Sequence, residues 1–189
     1  MDILEQYHQN KKKNEPFIYN RHLYVANIIK NLFSPTQHKN LCEIGAGRFE
    51  LAIILATFYE NIDAYEIIKY PKPKISNLKI YDVFNRYTNV SNYHLMISVC
   101  PYSCAYDIFD EIDPEEESKR LIFDILDLSV ENKINSFIVL PNTPIANNII
   151  ENVKNQEKYN KIIQDDIVLN YQFYNKKETS KFKVLIYKK

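Results

Sequence analysis

The sequence predicts an α/β domain: a seven-stranded, mostly parallel sheet with helices on both faces and an antiparallel hairpin as its last two strands. Three observations carry this. Short apolar runs alternate with segments of helical periodicity along most of the chain, the pattern of strands joined by crossover helices. The runs Asp166 to Tyr174 and Lys181 to Tyr187 alternate in polarity and are separated by the polar turn 175–180, so they read as a hairpin. The only two glycines, Gly45 and Gly47, follow the first strand at once, where a chain without Cβ atoms can turn sharply into a helix.

The elements follow in order. Asp2 to Gln9 is a short helix, and the polar run Asn10 to Pro16 is a linker. From Phe17 to Phe33, Leu23, Ala26, Ile28, Ile29 and Leu32 share one helical face, and Ser34-Pro35 stops the helix. Asn40 to Ile44 is the first strand and Phe49 to Tyr59 the helix after it. Ile62 to Ile67 is the second strand. Pro71 and Pro73 leave the next helix short or absent. Leu78 to Ile80 and Tyr93 to Val99 are the third and fourth strands. Ala105 to Ile112 reads as a short helix. A longer one opens at Asp113-Pro114 with three acids behind the proline and runs to about Asn132, a favourable start for a helix. Ser136 to Leu140 is the fifth strand, and Pro144 to Ile163 the last helix. Residues 1–35 are thus an N-terminal helical segment and 36–189 one compact unit.

Composition narrows the function. Apolar residues make up 46% of the 189, enough for a core without staples. The 24 basic and 24 acidic side chains cancel, so there is no strong nucleic-acid signal. No run approaches the roughly 18 apolar residues of a membrane span. The acidic start Met1 to Glu5 lacks the order of a secretory signal, so a cytoplasmic protein is expected. Cys42, Cys100 and Cys104 contain no paired spacing, which argues against a disulfide framework and a metal site.

The loop Glu43-Ile44-Gly45-Ala46-Gly47-Arg48-Phe49 points to a nucleotide cofactor. Such a turn brings backbone N–H groups and a helix N-terminus to a ligand. Dinucleotides favour a third glycine three residues on, where this chain has Glu50. S-adenosylmethionine carries a cationic amino group and a sulfonium, which favour an acid before the loop, and Glu43 is there. Glu66, about 20 residues beyond the glycines at the end of the second strand, suits the ribose hydroxyls, and Ile67 suits the adenine face. Ser98, Cys100, Tyr102 and Ser103 stand at the mouth after the fourth strand, with Asp107 and Asp110 farther on. Ser98 and Tyr102 are the catalytic candidates. His94 reads as a structural histidine and Cys100 as an inert thiol.

With these residues in order, the chain resembles the class I S-adenosylmethionine-dependent methyltransferases over nearly its whole length. It is most similar to small archaeal-type methyltransferase-like proteins. Glu43 to Glu50, Asp82 to Asn85 and Ser98 to Pro101 carry the likeness. The resemblance implies a Rossmann-like fold, S-adenosylmethionine as cofactor, and cofactor contacts at Glu43, Gly45, Gly47, Glu66, Ile67 and Ser98. It also implies that Asp82 meets the adenine amino group and the Val83 backbone an adenine ring nitrogen. Two positions depart from the family. Phe49 replaces the last glycine of the usual loop, and the acceptor loop keeps only Pro101-Tyr102 of the Pro-Pro-Tyr found in amino-group methyltransferases. The acceptor and the oligomeric state stay open. So do two other readings: a protein that holds the cofactor or its product without turnover, or an enzyme that transfers another part of it.

Overall fold

The computed structural model describes residues 16–101, 113–173 and 176–189. The first helix expected, Asp2 to Gln9, and the helix expected over 105–112 lie outside them. Helix α1 (Pro16–Leu32) precedes strand β1 (Asn40–Ile44), helix α2 (Glu50–Leu55), strands β2 (Asn61–Tyr65), β3 (Leu78–Tyr81) and β4 (Leu95–Val99), and helix α3 (Pro114–Asn132). Strand β5 (Asn135–Pro141), helix α4 (Pro144–Lys154), a single 3₁₀ turn (Glu157–Tyr159) and strands β6 (Ile162–Phe173) and β7 (Lys176–Tyr187) complete the chain.

The seven strands form one sheet in the order β3-β2-β1-β4-β5-β7-β6. The first five pair in parallel. β7 enters antiparallel between β5 and β6. The order reverses between β1 and β4, so the two strands diverge in their connections and leave a crevice at their C-terminal ends.

Each central strand is buried on both faces, so its side chains alternate between two cores. Leu41, Ile97, Phe137 and Val184 face α1 and α2, where Val25, Ala26, Ile29, Leu51 and Leu55 are buried. Cys42, Met96, Ile138 and Leu185 face α3 and α4, against Ile122, Ile125, Leu126, Ile149 and Val153. Between β2 and β3 residues 66–77 hold no helix, as the prolines require.

Several boundaries differ from the sequence reading: the second strand stops at Tyr65 rather than Ile67, and the fourth starts at Leu95 rather than Tyr93. The helix expected to run to Ile163 ends at Lys154, with Asn155 as its C-cap. Ile162 pairs with Tyr187 instead, so tertiary pairing takes the last residues into β6. The hairpin strands are 12 residues each, longer than expected. Ladder pairing therefore reaches through the polar stretch 176–180, where the sequence has no apolar alternation to mark a strand. The helix expected to Tyr59 stops at Leu55, and residues 56–58 form a turn that carries Tyr59 under Phe33, whose carbonyl accepts the Tyr59 hydroxyl at 2.7 Å.

Candidate cofactor site

The five parallel strands bring their C-terminal ends into one row, and backbone bonds lock the loops that leave them. Gly45 and Ala46 both donate to the Tyr65 carbonyl, at 3.0 and 3.1 Å. Glu66, one residue past β2, donates its N–H to Tyr81 at 3.0 Å, and Cys100 donates to Val139 at 2.8 Å. The loop after β1 is thereby fixed at the crevice beside β4.

Both glycines of that loop take the left-handed conformation, Gly45 at φ 70° and Gly47 at φ 54°. A Cβ on Gly45 would lie 3.3 Å from Pro101 Cβ, so the loop after β4 closes against it. A Cβ on Gly47 would meet nothing within 4 Å. Gly47 is thus an open approach to backbone, which is what a closely bound ligand needs. Phe49, at the third position of the loop, is also left-handed (φ 65°, ψ 19°). An aromatic residue is strained there. Its side chain is 1% exposed and packs into the core, so it anchors the loop from below.

Glu43, one residue before the end of β1, lies on the α1/α2 side and is 3% exposed. One oxygen accepts the Ala52 N–H, an otherwise orphan donor in the first turn of α2. The other oxygen, Oε2, is buried with no partner. Burial, then the nearby Glu50 carboxylate, hold the Glu43 carboxyl well above the usual carboxylate range, with Glu66 adding to the repulsion. Glu50 is itself buried; the sequence reading noted it only in the place of a third glycine and gave it no role at the site.

Glu66 is buried and crosses to the glycine loop. Its Oε2 accepts the Gly47 N–H at 2.6 Å, and its Oε1 accepts the Ile68 N–H at 2.8 Å. Burial raises its pKa, and these backbone donors oppose the rise. Each oxygen keeps a second lone pair, so the carboxylate both closes the loop and retains acceptors for hydroxyls. Ile67 beside it is half-buried.

Asp82 and Val83 follow β3 and are exposed, Val83 at 59%. Lys69 holds Asp82 at 2.7 Å, with Lys72 at 3.9 Å, and the Lys69 contact keeps its pKa low. Neither lysine was singled out in the sequence, since a loop lysine has no periodicity to place it. Ser98 is fully buried, and its hydroxyl donates to the Ile44 carbonyl at 2.8 Å. It ties β4 to β1 directly beneath the loop. Tyr102, Ser103, Cys104, Asp107 and Asp110 lie outside the described residues. His94 accepts the Asn40 N–H through Nδ1 at 3.2 Å, at the opposite end of the sheet from the loop.

The site thus gathers Glu43, Gly45, Gly47, Glu66 and, farther out, Ile67 and Asp82 along one edge of the sheet. An orphaned, buried carboxylate oxygen behind an open glycine suits a cationic group. A second carboxylate with free lone pairs suits a diol. Both fit S-adenosylmethionine.

No family model matches the chain, and no curated protein matches it in sequence. Solved structures do share its fold. The N-methyltransferase NodS of Bradyrhizobium japonicum superposes with a TM-score of 0.59 at 10% identity, covering 93% of this chain and 99% of that one. A putative RNA methyltransferase of Pyrococcus horikoshii gives 0.55 at 14% identity, covering 90% and 84%. The magnesium protoporphyrin IX methyltransferase of Synechocystis PCC 6803, solved with S-adenosylhomocysteine bound, gives 0.52 at 11%, covering 90% and 87%. The fold is therefore the Rossmann-like one of class I methyltransferases, with the C-terminal antiparallel hairpin that the sequence predicts.

Proposed function

We propose that the chain is an S-adenosylmethionine-dependent methyltransferase. The observation that carries the reading is the unpartnered, buried Oε2 of Glu43, two residues before a turn in which Gly45 and Gly47 are left-handed. A buried carboxylate without a counterion is costly, and a cationic amino acid moiety would relieve that cost. Glu66 would take the ribose hydroxyls while still holding the Gly47 amide. Asp82 and Val83 would meet the adenine, with Ile67 against its face.

When bound, the cofactor supplies an activated methyl group on a sulfonium leaving group. The residues of this chain position it. Glu66 and the Tyr65 carbonyl hold the glycine loop in shape before any ligand arrives, so little ordering entropy is lost on binding. Ser98 fixes the floor of the crevice by joining β4 to β1. Positioning of this kind is most of what a methyl transfer asks of a protein.

Calorimetric titration with S-adenosylmethionine, S-adenosylhomocysteine and NAD tests the reading. Saturable binding of the first two is expected. Glu66→Ala should weaken both by about 10- to 100-fold, as loss of charge-assisted hydrogen bonds does. Binding of NAD alone would sink the proposal. A second reading, a protein that holds the cofactor without turnover, is favoured by Ser98, whose hydroxyl is already spent on Ile44. Cofactor binding without methylation of any component of a cell extract would select it.

A further inference from the structure

A second cleft, of about 630 Å³, opens on the far side of the Cys100–Pro101 bend. Cys100 and Pro141, at the ends of β4 and β5, line it together with Arg21 of α1 and the segment 179–182 of β7. Pro101, the residue after Cys100, is the one that closes against Gly45. The cleft and the glycine loop therefore share a wall.

The cleft differs in charge from the loop. Among the described residues its charged lining is cationic, Arg21 and Lys181, and no carboxylate lines it. The ion pairs of the described residues include neither of these cations. Arg21 spends Nη2 on His22 Nε2 at 3.2 Å, while its Nε–H is buried and meets no acceptor. Ser180 adds a hydroxyl. Thr143, the N-cap of the 11-residue helix α4, brings the positive end of that helix to the same cleft. Among the described residues, two cations without a carboxylate partner, hydroxyl donors and a helix N-terminus form an oxyanion environment. The volume is that of a small-molecule site. The balanced charge of the whole chain does not match a polyanion.

We propose that this cleft is the acceptor subsite and that it holds an oxyanionic group, phosphate or carboxylate, of a small-molecule acceptor. The assignment of the cleft to the acceptor rests on the methyltransferase reading, since it needs a donor on the other side of the shared wall. The charge of the ligand rests on the cleft alone.

The test is calorimetry on the full chain, free and saturated with S-adenosylhomocysteine, with inorganic pyrophosphate and malonate as probes. At least one probe should bind saturably, and the tighter of the two identifies the anion as phosphate or carboxylate. Lys181→Glu, at an exposed position, should weaken that probe by about tenfold or more, as loss of a close charge pair does. Arg21→Gln should do the same. Both variants should bind S-adenosylhomocysteine within about twofold of wild type, which also reports a folded protein. Absence of saturable probe binding overturns the proposal, as does binding that neither substitution changes. Binding of a single-stranded oligonucleotide in preference to both probes overturns it in favour of a nucleic acid. Probe binding that responds to Lys181→Glu in a protein that ignores S-adenosylhomocysteine keeps the anion site and removes the methyltransferase reading.

Discussion

On the loop side of the Cys100–Pro101 bend, three buried acids, Glu43, Glu50 and Glu66, crowd behind two glycines. On the cleft side, beyond Pro101, the charges are Arg21 and Lys181. The acids are held by the sheet and by the first turn of α2, so they cannot relax toward water. The cations come from α1 and β7, and the buried Arg21 Nε–H keeps its hydrogen free for an acceptor. Placing a ligand cation on one side and a ligand anion on the other relieves both. A surface that were merely acidic or merely basic would show neither the burial nor the separation.

The comparison can be broken first at Phe49, which anchors the loop side. Phe49→Gly removes left-handed strain worth about 1–2 kcal/mol. It also deletes a fully buried aromatic side chain, at about 3–5 kcal/mol. The variant should therefore be less stable by about 1–4 kcal/mol in urea denaturation. A variant as stable as wild type would show that Phe49 packs less tightly than its burial implies.

Glu43→Gln separates stability from binding. Burial and Glu50 raise the Glu43 pKa, so the folded state favours its protonated form. That contribution is fully present below the ordinary carboxylate range and is lost as pH rises through the raised folded value. A glutamine cannot ionise and still offers an oxygen to Ala52. The variant should match wild type in acid and melt higher at neutral and alkaline pH. Its affinity for S-adenosylmethionine should fall by about tenfold at neutral pH, as loss of a charged partner does. Wild-type affinity should rise with pH over the range in which Glu43 ionises, and that of the variant should stay flat. Parallel pH profiles would remove Glu43 from cofactor binding.

The two glycines should separate next. Gly45→Ala meets both a left-handed backbone and Pro101 at 3.3 Å, whereas Gly47→Ala meets only the backbone penalty of about 1–2 kcal/mol. Thermal melts should rank Gly45→Ala below Gly47→Ala. Ligand titration of the folded variants should show Gly47→Ala losing affinity through its methyl group in the open approach. The smallest effect belongs to Asp82→Asn. It frees Lys69 and Lys72 at an exposed site, where solvent screens a surface ion pair. Stability should stay near wild type, and cofactor affinity should drop a few-fold at low salt.

Much of the fold was readable because its signals are local. Proline at 71 and 73, the glycine pair and the apolar runs each act within a few residues. The limits of α4 and of the hairpin strands were not readable, because Ile162 and residues 176–180 take their state from the neighbouring strand. At the candidate site, motif and spacing proposed Glu43, Gly45, Gly47 and Glu66, and the structure brings them together at one end of the sheet. Glu50, Lys69 and Arg21 carried no such motif, and their burial or partners come from packing.

What the sequence determined by itself is the order of elements, the closing hairpin and the position of the glycine turn. These follow from side-chain period and from the backbone freedom of glycine, which are properties of short segments. Only the tertiary structure decided that Glu43 is buried with one oxygen unpartnered and that Ser98 spends its hydroxyl on Ile44. It also turned Phe49 inward and brought Arg21 and Lys181 to one cleft. Burial and charge proximity are set by the packing of distant segments, and no local pattern encodes them.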